Sequence, residues 1–127
     1  MEEGMRVVWI VDDDDEMSHA IKLMLQLLDF SVEIFRDARS TARQLMSGDR
    51  PDAILLDINM PEVSGIDFLE FLRIRTELKR IPVVMLSSET TDIQVDEAMD
   101  LGAVGFVFKP VTIDELEEAL KRAMGSE

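Results

Sequence analysis

Two apolar rhythms alternate along the chain. Short runs stand at "MRVVWIV" (5–11), "SVEIF" (31–35), "DAILLD" (52–57), "PVVML" (82–86) and "GFVFK" (105–109). The first is continuous and β-branched, which predicts a strand buried on both faces; the third, fourth and fifth are likewise short and apolar. "SVEIF" alternates and reads as a strand nearer an edge. Between the runs, apolar residues recur every three or four positions, as on one face of a helix. Met17, Ile21, Met24 and Leu28 do so over 16–28, and Ala38, Ala42 and Leu45 over 38–46, where Gly48 supplies a stop. Ile66, Leu69 and Leu72 do so over 65–76, with Ile74 off the stripe, and Val95, Ala98 and Leu101 over 92–101 before Gly102. Thr112-Ile113-Asp114-Glu115 is a capping box opening a last helix that buries Leu116, Leu120 and Ala123.

Five strand–helix alternations with short connections predict an α/β fold. A five-stranded parallel sheet carries helices on both faces through right-handed crossovers, as one domain over 1–127. In such a sheet the carboxyl ends of the strands line a shared crevice, where ligands bind. The first strand delivers Asp12 and Asp13 there, the third Asp57, the fourth Ser87 and Ser88, and the fifth Lys109.

Two carboxylates about 4 Å apart repel by roughly 4 kcal/mol at an effective dielectric near 20. Such a cluster calls for a cation. With no cysteine and one histidine in the chain, oxygen ligands dominate, which points to Mg²⁺ or a similar hard cation such as Mn²⁺. Asp14, Asp15 and Glu16 have a plainer account. They fall where the first helix begins, and acids there cap free N–H groups and favour the positive end of the helix dipole.

Composition narrows the classes further. The formal charge of −14 argues against binding a nucleic-acid backbone or an anionic membrane. No apolar run approaches the roughly 20 residues of a membrane span. The absence of cysteine removes disulfides and thiol chemistry and fits a reducing compartment, and "MEEGMR" carries acids where a secretory signal carries bases. A cytoplasmic location is expected. His19 reads as a surface residue of the first helix, Trp9 as buried, and the nine methionines as core filling.

The chain resembles the receiver domain of bacterial two-component response regulators over essentially its full length. The resemblance rests on "VDDDD" (11–15), on "LLDINMPEVSG" (55–65) with Asp57 forty-four positions after Asp13, on "PVVMLSSE" (82–89) and on "GAVGFVFKP" (102–110). It implies the flavodoxin-like strand order 2-1-3-4-5 and a phosphorylation switch. Asp57 would accept a phosphoryl group from a sensor histidine kinase or phosphotransfer protein. Asp13, Asp57 and the backbone carbonyl of Asn59 would hold Mg²⁺, with Asp12 acting through a water. Lys109, Ser87 and a backbone N–H near Ser88 would bind phosphoryl oxygens. Movement of Ser87 would turn Phe106 inward and alter the fourth helix, fifth strand and fifth helix (about 90–123), where an output partner or a second, phosphorylated copy docks. Asn59 and Glu89 match positions that govern the hydrolytic water. Pro110 is consistent with a cis bond after Lys109. Gly65 would serve the turn or open the third helix, and Pro61 would stiffen the loop.

Three other classes fit less well. A haloacid-dehalogenase-like phosphatase takes its nucleophile from the first strand and follows it with a hydroxyl residue or valine, whereas "DDDDEM" offers neither. A flavodoxin-like carrier needs a Ser/Thr- or Gly-rich first loop for phosphate, and four aspartates repel one. A receiver-like scaffold without phosphorylation would have no need of every position being filled. No enzymatic action on outside substrates is expected.

Overall fold

The computed structural model describes residues 5–88 and 92–125. Ten elements alternate: β1 (Val7–Val11), α1 (Asp15–Leu27), β2 (Ser31–Phe35), α2 (Ala38–Met46), β3 (Ala53–Asp57), α3 (Gly65–Arg73), β4 (Val83–Ser87), α4 (Asp92–Asp100), β5 (Gly105–Phe108) and α5 (Ile113–Ala123). The strands form one parallel sheet in the order β2-β1-β3-β4-β5. Because all five run the same way, β1, β3 and β4 end in register: Val11 lies beside Leu56, and Asp57 beside Leu86.

Each face of the sheet has its own apolar layer. Trp9, Val11, Ile54, Leu56, Val83 and Met85 point toward α2, α3 and α4, and Val8, Ile10, Leu55, Val84 and Leu86 toward α1 and α5. This explains the unbroken apolar runs, since alternate side chains enter opposite layers and both layers are apolar. Ile54, Leu55 and Leu56 are fully buried, and burying such a side chain contributes roughly 1.5–3 kcal/mol. Trp9 meets Phe35 with ring centroids 4.7 Å apart.

The helices begin where short polar side chains accept free N–H groups. Asp14 accepts from Met17, Asp37 from Ser40, Ser64 from Asp67 and Thr112 from Glu115. The Ser40 bonds hold the Asp37 carboxyl below its usual pKa. Gly48 follows α2 at φ 110°, the left-handed backbone that favours glycine.

Several sequence expectations shift. In α1 the buried residues are Ser18, Ile21 and Leu25, with Met17 and Met24 at the margin, because "LMLQLL" (23–28) offers overlapping stripes. The third helix ends at Arg73, leaving Ile74 exposed. β4 runs on to Ser87, while Lys109 lies just past β5. β5 is less buried than β1, β3 and β4. As the last strand it has a neighbour on one side only, and Phe106 stays 39% exposed.

Candidate functional site

The three inner strands each end at a polar residue that the flanking elements bury. Asp12 follows β1 directly, its N–H bonded to the Phe35 carbonyl at 3.0 Å and its Oδ1 accepting from Asp14 N at 3.0 Å. Asp57 closes β3 and Ser87 closes β4; both are buried. Lys109 is fixed by a 2.8 Å bond from its N–H to the Ser87 carbonyl, and the Lys109–Pro110 peptide is cis as expected.

Its ammonium therefore reaches across the sheet edge. Nζ stands 3.1 Å from Asp12 Oδ2 and 3.2 Å from Asp57 Oδ1. Asp12, Asp13 and Asp57 present oxygens that all lie within 4.8 Å of one another, with Asp13 exposed at the mouth. Lys109 pairs with two of these three carboxylates.

The charge balance shows in the titration. Burial, and then the neighbouring Asp12 charge, push the Asp57 carboxyl up to about 6, against the opposing pull of Lys109. Burial alone would lower the Lys109 pKa, but the Asp12 and Asp57 carboxylates beside it outweigh burial and raise the ammonium above its ordinary value. The Asp12 Oδ2 atom is buried without a hydrogen-bond partner. Lys109 stands at ion-pair distance from it but outside hydrogen-bonding geometry, so one buried anionic oxygen retains capacity for a further positive ligand. An all-oxygen donor set with such an atom fits a hard divalent cation.

Backbone packing holds the end of β3. The Gly65 N–H donates to the Ile58 carbonyl at 2.8 Å, and a Cβ at Gly65 would fall 2.1 Å from the Asp57 carbonyl oxygen. Only glycine permits α3 to start this close to the end of β3. Asn59 lies exposed in the loop between them, and Ser88 is exposed after β4. Glu89 lies outside the described residues. His19 is exposed on α1. Ser18 was not anticipated: buried in α1, its hydroxyl approaches the Asp12 carbonyl at 3.5 Å. Its place at helical spacing before Ile21 and Leu25 is the signal that marks it.

A model of the response regulator receiver domain matches residues 8–121. The chain belongs to this family. It is 35% identical to the chemotaxis protein CheY of Pseudomonas aeruginosa, over 91% of this chain and 93% of that protein. It is 34% identical to CheY-3 of Vibrio cholerae, over 96% and 93%. The solved structure of the chemotaxis response regulator CheY4 of Vibrio cholerae superposes with a TM-score of 0.84 at 30% identity, covering 94% of this chain and 98% of that one. Receiver domains are phosphorylation-activated switches that bind Mg²⁺ in an acidic pocket, and the aspartate cluster lies where this fold gathers its strand ends. Receiver domains act with histidine kinases and output partners. Among the described residues no helix is long and apolar enough to cross a membrane.

Proposed function

We propose that Asp57 accepts a phosphoryl group from the phosphohistidine of a sensor kinase or phosphotransfer protein. An Asp57 carboxylate oxygen attacks phosphorus, the P–N bond breaks, and the imidazole leaves with a proton in place of the phosphoryl group. The carboxylate is an adequate nucleophile when incoming negative charge is offset. Lys109, already 3.2 Å from Asp57 Oδ1, supplies a fixed positive charge to the phosphoryl oxygens. The Asp13 and Asp57 carboxylates and the Asn59 backbone carbonyl would hold Mg²⁺, or Mn²⁺ in its place, with Asp12 contributing through a water. Bound there, the cation neutralises charge on the transferring group. Ser87 and the backbone near Ser88 bind another oxygen.

The domain acts on itself. Water attack on the aspartyl phosphate returns carboxylate and inorganic phosphate, with Asn59 beside the acceptor, and no outside substrate is turned over. The readout face is α4–β5–α5. There Met99, Val104, Phe106 and Ala119 line a groove of about 400 Å³, and Phe106 packs edge-on to Phe108 at 5.0 Å. Displacement of Ser87 turns Phe106 inward and reshapes this groove for a cytoplasmic output partner.

The observation that carries the reading is the bridge of Lys109 between buried Asp12 and Asp57, with Asp13 open beside them. Intact mass after incubation with acetyl phosphate tests it. One phosphoryl group should be gained by the native chain in Mg²⁺, and none without Mg²⁺ or in Asp57→Asn. Phosphorylation that persists in Asp57→Asn would move the acceptor elsewhere. No gain by a folded, Mg²⁺-bound chain would leave a cation site without phosphoryl chemistry.

A further inference from the structure

Arg73 ends α3 on the side of the molecule away from the aspartates, and neither the acidic cluster nor the groove at Phe106 involves it. Its guanidinium is partly buried, and its three acceptors are backbone carbonyls from two separate segments. Nη1 donates to the carbonyls of Lys79 and Ile81, and Nη2 to that of Gly102, each at 3.0 Å. Lys79 and Ile81 belong to the connection that enters β4, and Gly102 follows the last turn of α4. A planar fork of donors suits such a junction, because one group can hold two chain segments at fixed separation. A side chain at Gly102 would collide with it: a Cβ there would lie 2.8 Å from Arg73 Nε.

The two segments are opposite arms of one hairpin-like unit. β4 climbs from Val83 to Ser87 at the acidic edge, and α4 returns from Asp92 to Asp100. At the lower end the unit is closed twice: Val104 N–H bonds to the Val83 carbonyl at 2.9 Å, and Arg73 ties Gly102 to Ile81, while Ala103 N–H caps α4 on the Ala98 carbonyl at 3.0 Å. From Gln94 to Asp100 α4 is held lightly, since Ala98 is the one fully buried side chain described there. A lightly packed helix fixed at one end transmits a pull at the other as a tilt about the fixed end.

We propose that Arg73 is the pivot of the switch, a positioning residue that pins the carboxyl end of α4 to the base of β4. Displacement at Ser87 is thereby delivered to Val104 and Phe106 instead of being absorbed by slippage of α4. The proposal rests on the phosphorylation reading above.

The test compares the native chain, Arg73→Met and Arg73→Lys by intact mass and by assigned amide NMR, before and after acetyl phosphate and Mg²⁺. The phosphorylated fraction and the Ser87 amide shift should stay within roughly twofold of native in both variants, because Asp57 and its partners are untouched. The Val104 and Phe106 amide shifts per phosphorylated molecule should fall to less than about half in Arg73→Met. Arg73→Lys should be intermediate, since an ammonium reaches fewer of the carbonyls. Amide exchange at Leu101–Val104 should quicken by about tenfold in Arg73→Met while β1 and β3 amides keep their protection. Should Arg73→Met not fold, Arg73→Lys carries the same comparison. Undiminished Phe106 shifts, or exchange rising equally in β1 and β3, would overturn the pivot while leaving the switch intact. Failure of the native chain to gain a phosphoryl group, with a silent Ser87, would instead remove the switch and the pivot together.

Discussion

β3, which carries the proposed acceptor, and β5, on the proposed readout face, belong to one sheet yet are held in opposite ways. All five residues of β3 are buried, neighbours pair on both sides, and the start of α3 is pressed against its last carbonyl through Gly65. β5 pairs only with β4, and its exposed Phe106 borders an open groove. Chemistry that depends on ångström-scale placement sits where the chain cannot shift. A surface that must change shape sits where few contacts oppose the change. On the proposed reading, the stiff part fixes the charge at Asp57 and the loose part responds to it.

Gly65→Val should break this contrast most severely. Its side chain has no room against the Asp57 and Ile58 backbone, so a loss of more than about 3 kcal/mol is expected in urea unfolding, together with loss of phosphorylation.

The next effect concerns charge. With its pKa raised from 3.8 to about 6, Asp57 keeps its proton in the folded state over a range where the unfolded chain has already lost it. Folded molecules therefore bind more protons between about pH 4 and 6, and stability falls as pH rises through that window. Below it the contribution vanishes; above it the penalty is complete. In chelator, Asp57→Asn should be more stable than the native chain by about 3 kcal/mol at pH 7 and by almost nothing near pH 3.5. An advantage that stays constant with pH would show that the burden at Asp57 is not electrostatic.

On the loose flank the same scale of change should cost little. Phe106→Ala is expected to lower stability by less than about 1 kcal/mol while altering partner binding, and Ile74→Ser, 73% exposed in the native chain, by no more than about 0.5 kcal/mol. A large loss at Phe106 would erase the distinction between the two strands.

Much of the site was legible because parallel strands are unbroken apolar runs, so the first polar residue after each run falls at the shared edge. Asp12, Asp57, Ser87 and Lys109 all announce themselves that way. The inward face of α1 did not, since "LMLQLL" supports more than one stripe and the sheet selects among them. Nor did the titration of Asp57, which depends on Asp12 and Lys109 brought from distant positions. Arg73 left no mark at all. Its acceptors are backbone carbonyls, which every residue possesses, so a pivoting arginine looks in sequence like any charged residue at the end of a helix. The run "GFVF" is as apolar as a central strand, so the openness of β5 follows from its place at the end of the sheet, which the resemblance implies, and not from its composition.

The contrast between a fixed acceptor and a movable flank is tested most directly by hydrogen exchange of the native chain with and without phosphorylation, followed by mass spectrometry of peptides from β3 and from the α4–β5 segment. Protection should change in peptides spanning 98–108 and remain the same, apart from the added phosphoryl mass, in those spanning 53–58. Changes centred on β3, with α4 and β5 unaltered, would contradict the account.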